Sequence, residues 1–338
     1  MASSATGPIR PWVLKALVQG AVARLPAGAR LNALLRGLLG GGGVGEAMFE
    51  RKLGQCARHL EAYASVRGSD ARPASAIELG TGHAPIVPVA LALAGVERVL
   101  TVDIRPLLAA SATARTVELF ARHLQAGWPD CPIAPLDPGR VGALLAEAGA
   151  RSRPTVSSVT AGDARPEASL GRLGVSVMLG ELADLRLAEG SLQLLVSNNT
   201  LEHIPEAQLE PVLRELRRVA APEAVMSHFV DISDHYAHFD RSISEFNYLR
   251  FSDRSWRLFN NALHHQNRLR ASDYVRIVED AGFKVVATEE QRGEARELAR
   301  ITPAPRFRAY SQSDLLTLRL WITAVPRAPG DLSRAPGR

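Results

Sequence analysis

Residues 76–103 constrain this chain more than any other segment. Ala76-Ile77-Glu78-Leu79 is a short apolar run that reads as a strand, and it enters the turn Gly80-Thr81-Gly82-His83-Ala84-Pro85. An apolar helix follows at 86–94, Gly95 stops it, and residues 98–103 read as a second strand ending on Asp103. Two strands joined by a helix of this length pair in parallel through a right-handed crossover. The chain is therefore expected to be an α/β protein. Its 338 residues, 46% hydrophobic and 22% charged, suit one large globular domain or two small ones.

Further elements follow from periodicity. Val13/Leu14, Leu17/Val18, Ala21/Val22 and Leu25 form a helical stripe that Pro26 stops, and Leu31, Leu34/Leu35 and Leu38/Leu39 form another before four glycines, Gly40 to Gly43. A helix over 46–66 puts Phe49, Leu53, Cys56, Leu60 and Tyr63 on one side. A helix is expected at 106–126, strands at 175–179 and 192–197, a helix at 205–220 and a strand at 224–232. Residues 127–170, rich in Pro, Gly and Ala, carry no assigned element. Residues 233–270, rich in His, Asp, Arg and aromatics, are too long for a plain connection and read as an insert. Ser272 is expected to cap a helix ended by Gly282, with strands at 283–287 and 314–325 after it. The domain reading is a basic amphipathic extension at 1–45, a main domain at 46–326 with its insert, and a disordered tail at 327–338.

Charge is unevenly placed. The chain carries 40 Lys+Arg against 35 Asp+Glu, and Arg10, Lys15, Arg24, Arg30 and Arg36 precede the first acid, Glu46. The first 45 residues therefore hold the whole net +5, and the remainder is balanced at 35 against 35. A nucleic-acid binder usually spreads basic excess over its fold, so no nucleic-acid partner is expected. The two cysteines, Cys56 and Cys131, are far apart, which argues against a disulfide framework or a Cys-based zinc site and fits a reducing, cytoplasmic compartment. The apolar run at 86–96 is too short to span a bilayer and contains Pro88. The acid-free extension is read as a helical lid over the functional site. Alternatives are a segment (residues 1–43) resting peripherally on an anionic membrane, or a presequence.

Glycines between a strand and a helix let the backbone approach a ligand, and the helix start offers free N–H groups. A dinucleotide fingerprint would need glycine where Pro85 stands. Glu78, Gly80, Gly82 and Ala84 instead fit acidic-x-G-x-G-x-[G/A], and Asp103 stands 21 residues after Gly82, where a carboxylate can accept ribose hydroxyls. Ser191-Leu-Gln-Leu-Leu-Val-Ser-Asn-Asn-Thr-Leu-Glu-His-Ile-Pro205 reads as a buried strand followed by a Leu-Glu-His-Ile turn. Together these resemble the class I S-adenosylmethionine (SAM)-dependent methyltransferases of small-molecule type, over about residues 75–290. The insert and the run from Gln266 to Tyr274 resemble a bacterial group within them.

The resemblance implies a Rossmann-like seven-stranded sheet, mostly parallel with the last strand antiparallel, a helical N-terminal extension and an insert after strand five. It implies SAM as cofactor, held by Glu78, Gly80, Thr81, Gly82, Asp103, Asn198 and the stretch containing Glu181 and Asp184. Gln193 stands where an Asp is common, and the register between Glu181 and Asp184 stays open. Methyl transfer to a hydroxyl needs a base near the ends of strands four and five, so His203, His235 and Asp234 are the expected catalytic residues, acting on a small-molecule acceptor. Arg250, Arg268 and Arg270, with Tyr248, Trp256 and Asn267, are candidates for binding that acceptor. Asp231, His235 and His238 form no compact metal motif, and no metal site is assigned. Base methylation is disfavoured, because Ser197-Asn198-Asn199-Thr200 lacks the Asn/Asp-Pro-Pro-aromatic run of amino-methylating enzymes. A nucleotide-binding oxidoreductase and a non-catalytic methyltransferase-like protein remain the alternatives, and oligomeric state is left open.

Overall fold

The computed structural model describes residues 10–25, 43–152 and 166–328. One seven-stranded sheet has the order β3-β2-β1-β4-β5-β7-β6. Its strands are β1 (Ser75–Leu79), β2 (Arg98–Asp103), β3 (Val175–Leu179), β4 (Leu192–Asn198), β5 (Ala220–Asp231), β6 (Phe283–Arg292) and β7 (Thr317–Pro326). β1 pairs in parallel with β2 and β4, and β4 with β5, whereas β7 is antiparallel to both β5 and β6. This is the expected methyltransferase-type sheet. The chain order reverses between β1 and β4, which opens a crevice at the carboxyl ends of the parallel strands.

Eight helices are named here: α1 (Pro11–Ala23), α2 (Glu46–Arg67), α3 (Ile86–Leu93), α4 (Ala110–Gln125), α5 (Pro138–Ser152), α6 (Pro166–Arg172), α7 (Glu206–Val219) and α8 (Ala271–Asp280). Helices α2 to α6 cover one face of the sheet. Phe49, Leu53, Cys56, Leu60 and Tyr63, the stripe read from the sequence, form the buried side of α2. Every residue of α3 is buried, and its Pro88 falls in the first turn, where a missing N–H costs nothing. Helices α7 and α8 cover the other face with Leu209, Leu213, Leu216, Tyr274 and Ile277. A third core joins the insert to α1: Trp12 packs on Tyr236, Phe251 and Phe259 with ring centroids 4.8–5.8 Å apart, and its backbone N–H donates to Asp240. Leu14, Leu17 and Val18 on the outer side of α1 stay exposed. Among the described residues no helix is long and apolar enough to cross a membrane.

Several boundaries differ from expectation, each for a local reason. The helix expected at 106–126 starts at Ala110, because Pro106 lacks an N–H and the Asp103 carboxylate holds the Arg105 N–H in a turn. The unassigned stretch 127–170 contains α5, capped by Asp137, whose side chain accepts the Arg140 N–H at 2.7 Å ahead of Pro138. β5 starts at Ala220 rather than 224, across a register shift opposite Leu192 and Leu194. β6 runs on to Arg292, since an edge strand tolerates the charged residues read as its end. The strand expected from 314 begins at Thr317, after a short helix capped by Ser311. Arg270, not Ser272, is the residue before α8, and the Asp273 carboxylate accepts its N–H. The second N-terminal stripe and residues 329–338 of the tail lie outside the described residues.

Candidate functional site

The carboxyl ends of β1, β2 and β4 open into a groove of about 400 Å³. Its floor is the loop after β1. Gly80 and Gly82 have φ of +79° and +65°, a backbone region costly for residues with a side chain. Gly80 carries a second constraint: a Cβ there would lie 2.9 Å from Thr200 Cγ2 and closer still to its hydroxyl. Thr200 itself is fixed, because its hydroxyl donates to the carbonyl of Leu79 at 3.1 Å. The two crossover loops are thus wedged together, with only backbone facing the groove at Gly80.

Asp103, at the end of β2, accepts the Gly82 N–H through Oδ2 and the Arg105 N–H through Oδ1, each at 3.0 Å. Each oxygen keeps a second lone-pair site toward the groove that Asp103 lines, where ribose hydroxyls can donate. Glu181 and Leu182 line the same groove, whereas exposed Asp184 sits one turn on and does not. Glu78 and Thr81 lie beneath the loop: Thr101 donates to Glu78 at 3.1 Å, and the Thr81 and Thr101 hydroxyls are 2.6 Å apart. Burial pushes the Glu78 carboxyl up to about 7, and the nearby Lys52 charge opposes that. Asn198 points away from the groove and accepts from His59 Nε2 at 3.2 Å. Asn199, with φ of +55°, lines the groove instead. The strand ends at Asn198, and the left-handed backbone of Asn199 turns the chain over the groove; with the same side chain at both positions, the sequence does not mark which one faces it. The residues present fit SAM: two glycines clear the approach, Asp103 offers a carboxylate able to accept ribose hydroxyls, and Ile104, Leu182 and Val212 offer apolar wall.

Asn199 also lines a second cavity, of about 890 Å³, over the ends of β5, β6 and β7 and the flank of α2. Arg51, Arg58, Phe229, Asp231, His235 and Trp321 shape it. Arg58 lies 4.1 Å from the Trp321 ring centroid and 2.6 Å from Glu289. None of α2 was anticipated as part of the site; its Arg51 and Arg58 sit one helical turn and three residues further along a face opposite the core stripe, a weak signal in the sequence.

The two cavities meet at a pair of histidines. His203 lines the groove, His235 lines the larger cavity, and their ring centroids are 5.0 Å apart. His203 Nδ1 lies 2.7 Å from the His265 carbonyl, and His235 Nε2 lies 3.3 Å from the Asp231 carbonyl. A carbonyl only accepts, so those nitrogens carry the hydrogens, leaving His203 Nε2 and His235 Nδ1 with free lone pairs. Burial lowers the pKa of His203, and burial with the charges of His203, His264 and His238 takes His235 well below the usual range. Both rings are therefore neutral near neutral pH, each with one ring nitrogen able to accept a proton.

Asp234 lies apart from both cavities. It is fully buried, accepts the Tyr236 N–H at 2.8 Å and the Asn247 amide at 2.9 Å, and so fixes the turn that carries His235. Burial raises its carboxyl to about 6. Arg268, Arg270, Tyr248 and Trp256 form the interior of the insert: the Arg268 guanidinium reaches Asp253 at 2.6 Å over the Trp256 ring, and Arg270 bonds Tyr248 and the carbonyls of Asp314 and Leu315. Asn267 donates to the carbonyls of Leu201 and Ile204 and stitches the insert to the turn after β4. Among the described residues no group of three or more His, Cys, Asp or Glu is arranged to hold a metal ion.

The sequence profile of a methyltransferase-domain family matches residues 48–288. No curated protein matches the sequence. Solved structures with a similar course include a TehB-like SAM-dependent methyltransferase from Corynebacterium glutamicum (13% identity, TM-score 0.42, covering 90% of this chain and 100% of that one). Another is a SAM-dependent methyltransferase from Methanosarcina mazei (14%, 0.40, 76% and 93%). The matched profile spans α2, the glycine loop, Asp103, the turn bearing His203 and the insert, so the chain belongs to the methyltransferase-domain family of class I SAM-dependent methyltransferases, with SAM as its cofactor.

Proposed function

We propose that the chain methylates a hydroxyl of a small-molecule acceptor seated in the 890 Å³ cavity. SAM, when bound, supplies an electrophilic methyl group on a sulfonium. The observation that carries the reading is the His203–His235 pair at the join of the two cavities, 5.0 Å between centroids, each ring with one lone pair freed by a backbone carbonyl. His235 Nδ1 is the base that accepts the acceptor's hydroxyl proton, because His235 lines the acceptor side. His203 faces the cofactor side, and a proton on one ring disfavours a proton on the other, so at most one of the pair is charged at a time. Asp234 positions His235 through its turn, and α1 braces the insert from behind through Trp12. Asn199 forms the wall between methyl donor and acceptor.

The test is transfer of tritiated methyl from SAM into a metabolite extract, followed by fractionation. His235→Ala should lower turnover by about 10²–10⁴-fold, the usual worth of a general base, while S-adenosylhomocysteine affinity is kept. Because both histidines stay neutral below the ordinary histidine range, the acid limb of kcat/KM should lie below pH 6.5. Unchanged turnover in His235→Ala and His203→Ala would overturn the assignment.

A further inference from the structure

Behind the acceptor cavity lies a cleft of about 760 Å³ lined by Arg10, Arg241, Arg250 and Arg300. His238 lines both spaces, and Glu245 of the cleft holds Arg319 of the acceptor cavity at 2.7 Å, so the two share a wall. The four arginines come from three separate segments: the residue before α1, the insert, and the turn after the short helix Ala295–Leu298. None of their guanidinium groups has a hydrogen-bond or ion-pair partner among the described residues. Of the cleft's two acids, Glu245 is paired with Arg319, and Glu297 accepts from the Ser244 hydroxyl at 3.0 Å within the cleft, so four guanidinium groups face one unpaired carboxylate. Arg250 and Arg300 also line an adjoining opening that contains Arg308.

The chain beyond residue 45 is charge-balanced, and in the neighbouring cavity Arg58 and Arg319 are paired with carboxylates, which leaves Arg51 as its one arginine without a partner among the described residues, against four in the cleft. Several guanidinium groups brought to one cleft from three segments suit a tetrahedral oxyanion with several charged oxygens, whereas one fork suffices for a carboxylate.

We infer that this cleft binds a phosphate or diphosphate group carried by the acceptor, whose hydroxyl then lies at His235. The site rests on the reading of the neighbouring cavity as the acceptor site. It makes the acceptor a phosphate or diphosphate ester, and it gives Arg10, in the basic extension, a place in recognition.

Calorimetric titration of the full chain with inorganic pyrophosphate at low salt tests it. Saturable binding is expected, weakened at least tenfold in Arg250→Ala/Arg300→Ala and less in the double lysine variant, which keeps charge without the fork. Arg254→Ala, on the insert outside the cleft, should bind like the native chain. S-adenosylhomocysteine affinity, measured separately, should be equal in all variants and reports that each is folded. Co-sedimentation with phosphatidylcholine vesicles containing phosphatidic acid distinguishes the source: arginine-dependent sedimentation assigns the phosphoryl group to a lipid, and pyrophosphate binding without it to a soluble ester. Absence of saturable binding, or equal binding in Arg250→Ala/Arg300→Ala, overturns the inference. Arginine-dependent binding together with turnover that survives His235→Ala would keep the anion site and sink only the catalytic reading.

Discussion

At the scale of single residues, the site depends on close approaches that a side chain would block. Gly80→Ala adds a Cβ against Thr200 at a φ of +79°, a strain of about 1–3 kcal/mol for a residue forced into that region. It should weaken S-adenosylhomocysteine binding more than tenfold in a direct titration, and Thr200→Ala should restore part of the loss by clearing the clash. Buried titrating groups give a second expectation. Burial raises the carboxyls of Glu78 to about 7 and Glu202 to about 8, and holds His59 and His228 uncharged down to about 3. A raised carboxyl binds a proton on folding, so its contribution is lost as pH rises from 4.5 toward the folded value. A lowered histidine does the reverse between about 3 and 6.5. Above pH 6.5 these histidines no longer act, and each raised carboxyl should lower stability by up to about 1.4 kcal/mol per pH unit until its folded value is reached. Denaturant melts of Glu202→Gln should be flatter between pH 7 and 8 than those of the native chain; an equal slope would remove Glu202 as the cause. The sequence named Gly80, Gly82 and Asp103 because their chemistry is local to one loop and one strand end. It did not separate Asn198 from Asn199, or Glu181 from Asp184, because facing is set by where a strand ends, and neighbouring residues carry the same groups.

At the scale of elements, the legible parts were those with a strong period or a hard stop. The unit from β1 to β2 and the buried stripe of α2 have both. Helix α5 escapes a reading by composition although Asp137-Pro138 is a good start signal and Val141, Leu144, Leu145 and Ala148 keep helical spacing, because Pro, Gly and Ala around it read as loop. The insert was legible only as an oddity. Its arginines looked like acceptor ligands, yet Arg268 and Arg270 spend their donors on carbonyls and on Asp253 inside an aromatic core, a use of arginine that composition cannot reveal. That core depends on α1. Trp12→Ala removes a buried ring in contact with three aromatic side chains, a loss of about 3–5 kcal/mol when borne by the whole fold. Here it should be borne locally: α1 and the insert should become the first sites of proteolysis and fast amide exchange, while S-adenosylhomocysteine affinity holds. Loss of cofactor affinity in this variant would mean that the third core and the groove are coupled.

At the scale of the whole molecule, the groove, the acceptor cavity and the arginine cleft lie in sequence, joined at Asn199 with the histidine pair and then at His238. S-adenosylhomocysteine at a hundredfold excess over its Kd should raise the unfolding free energy by about 2.7 kcal/mol, and NAD should leave the melting temperature unchanged. A shift with NAD instead would contradict the glycine-loop argument built on Pro85. The reversal of β7 has a consequence for how such a protein changes over time. Because β7 runs against its neighbours, its first residues, with Arg319 and Trp321, come to the same end of the sheet as the last residues of β6. The groove draws on residues 79–215, the larger cavity on 51–58, 199, 229–238 and 289–321, and among the described residues the two share only Asn199. On the proposed reading of the larger cavity, a new acceptor can therefore be selected, or engineered, by rewriting the paired ends of β6 and β7 and one face of α2, with the residues of the groove unchanged.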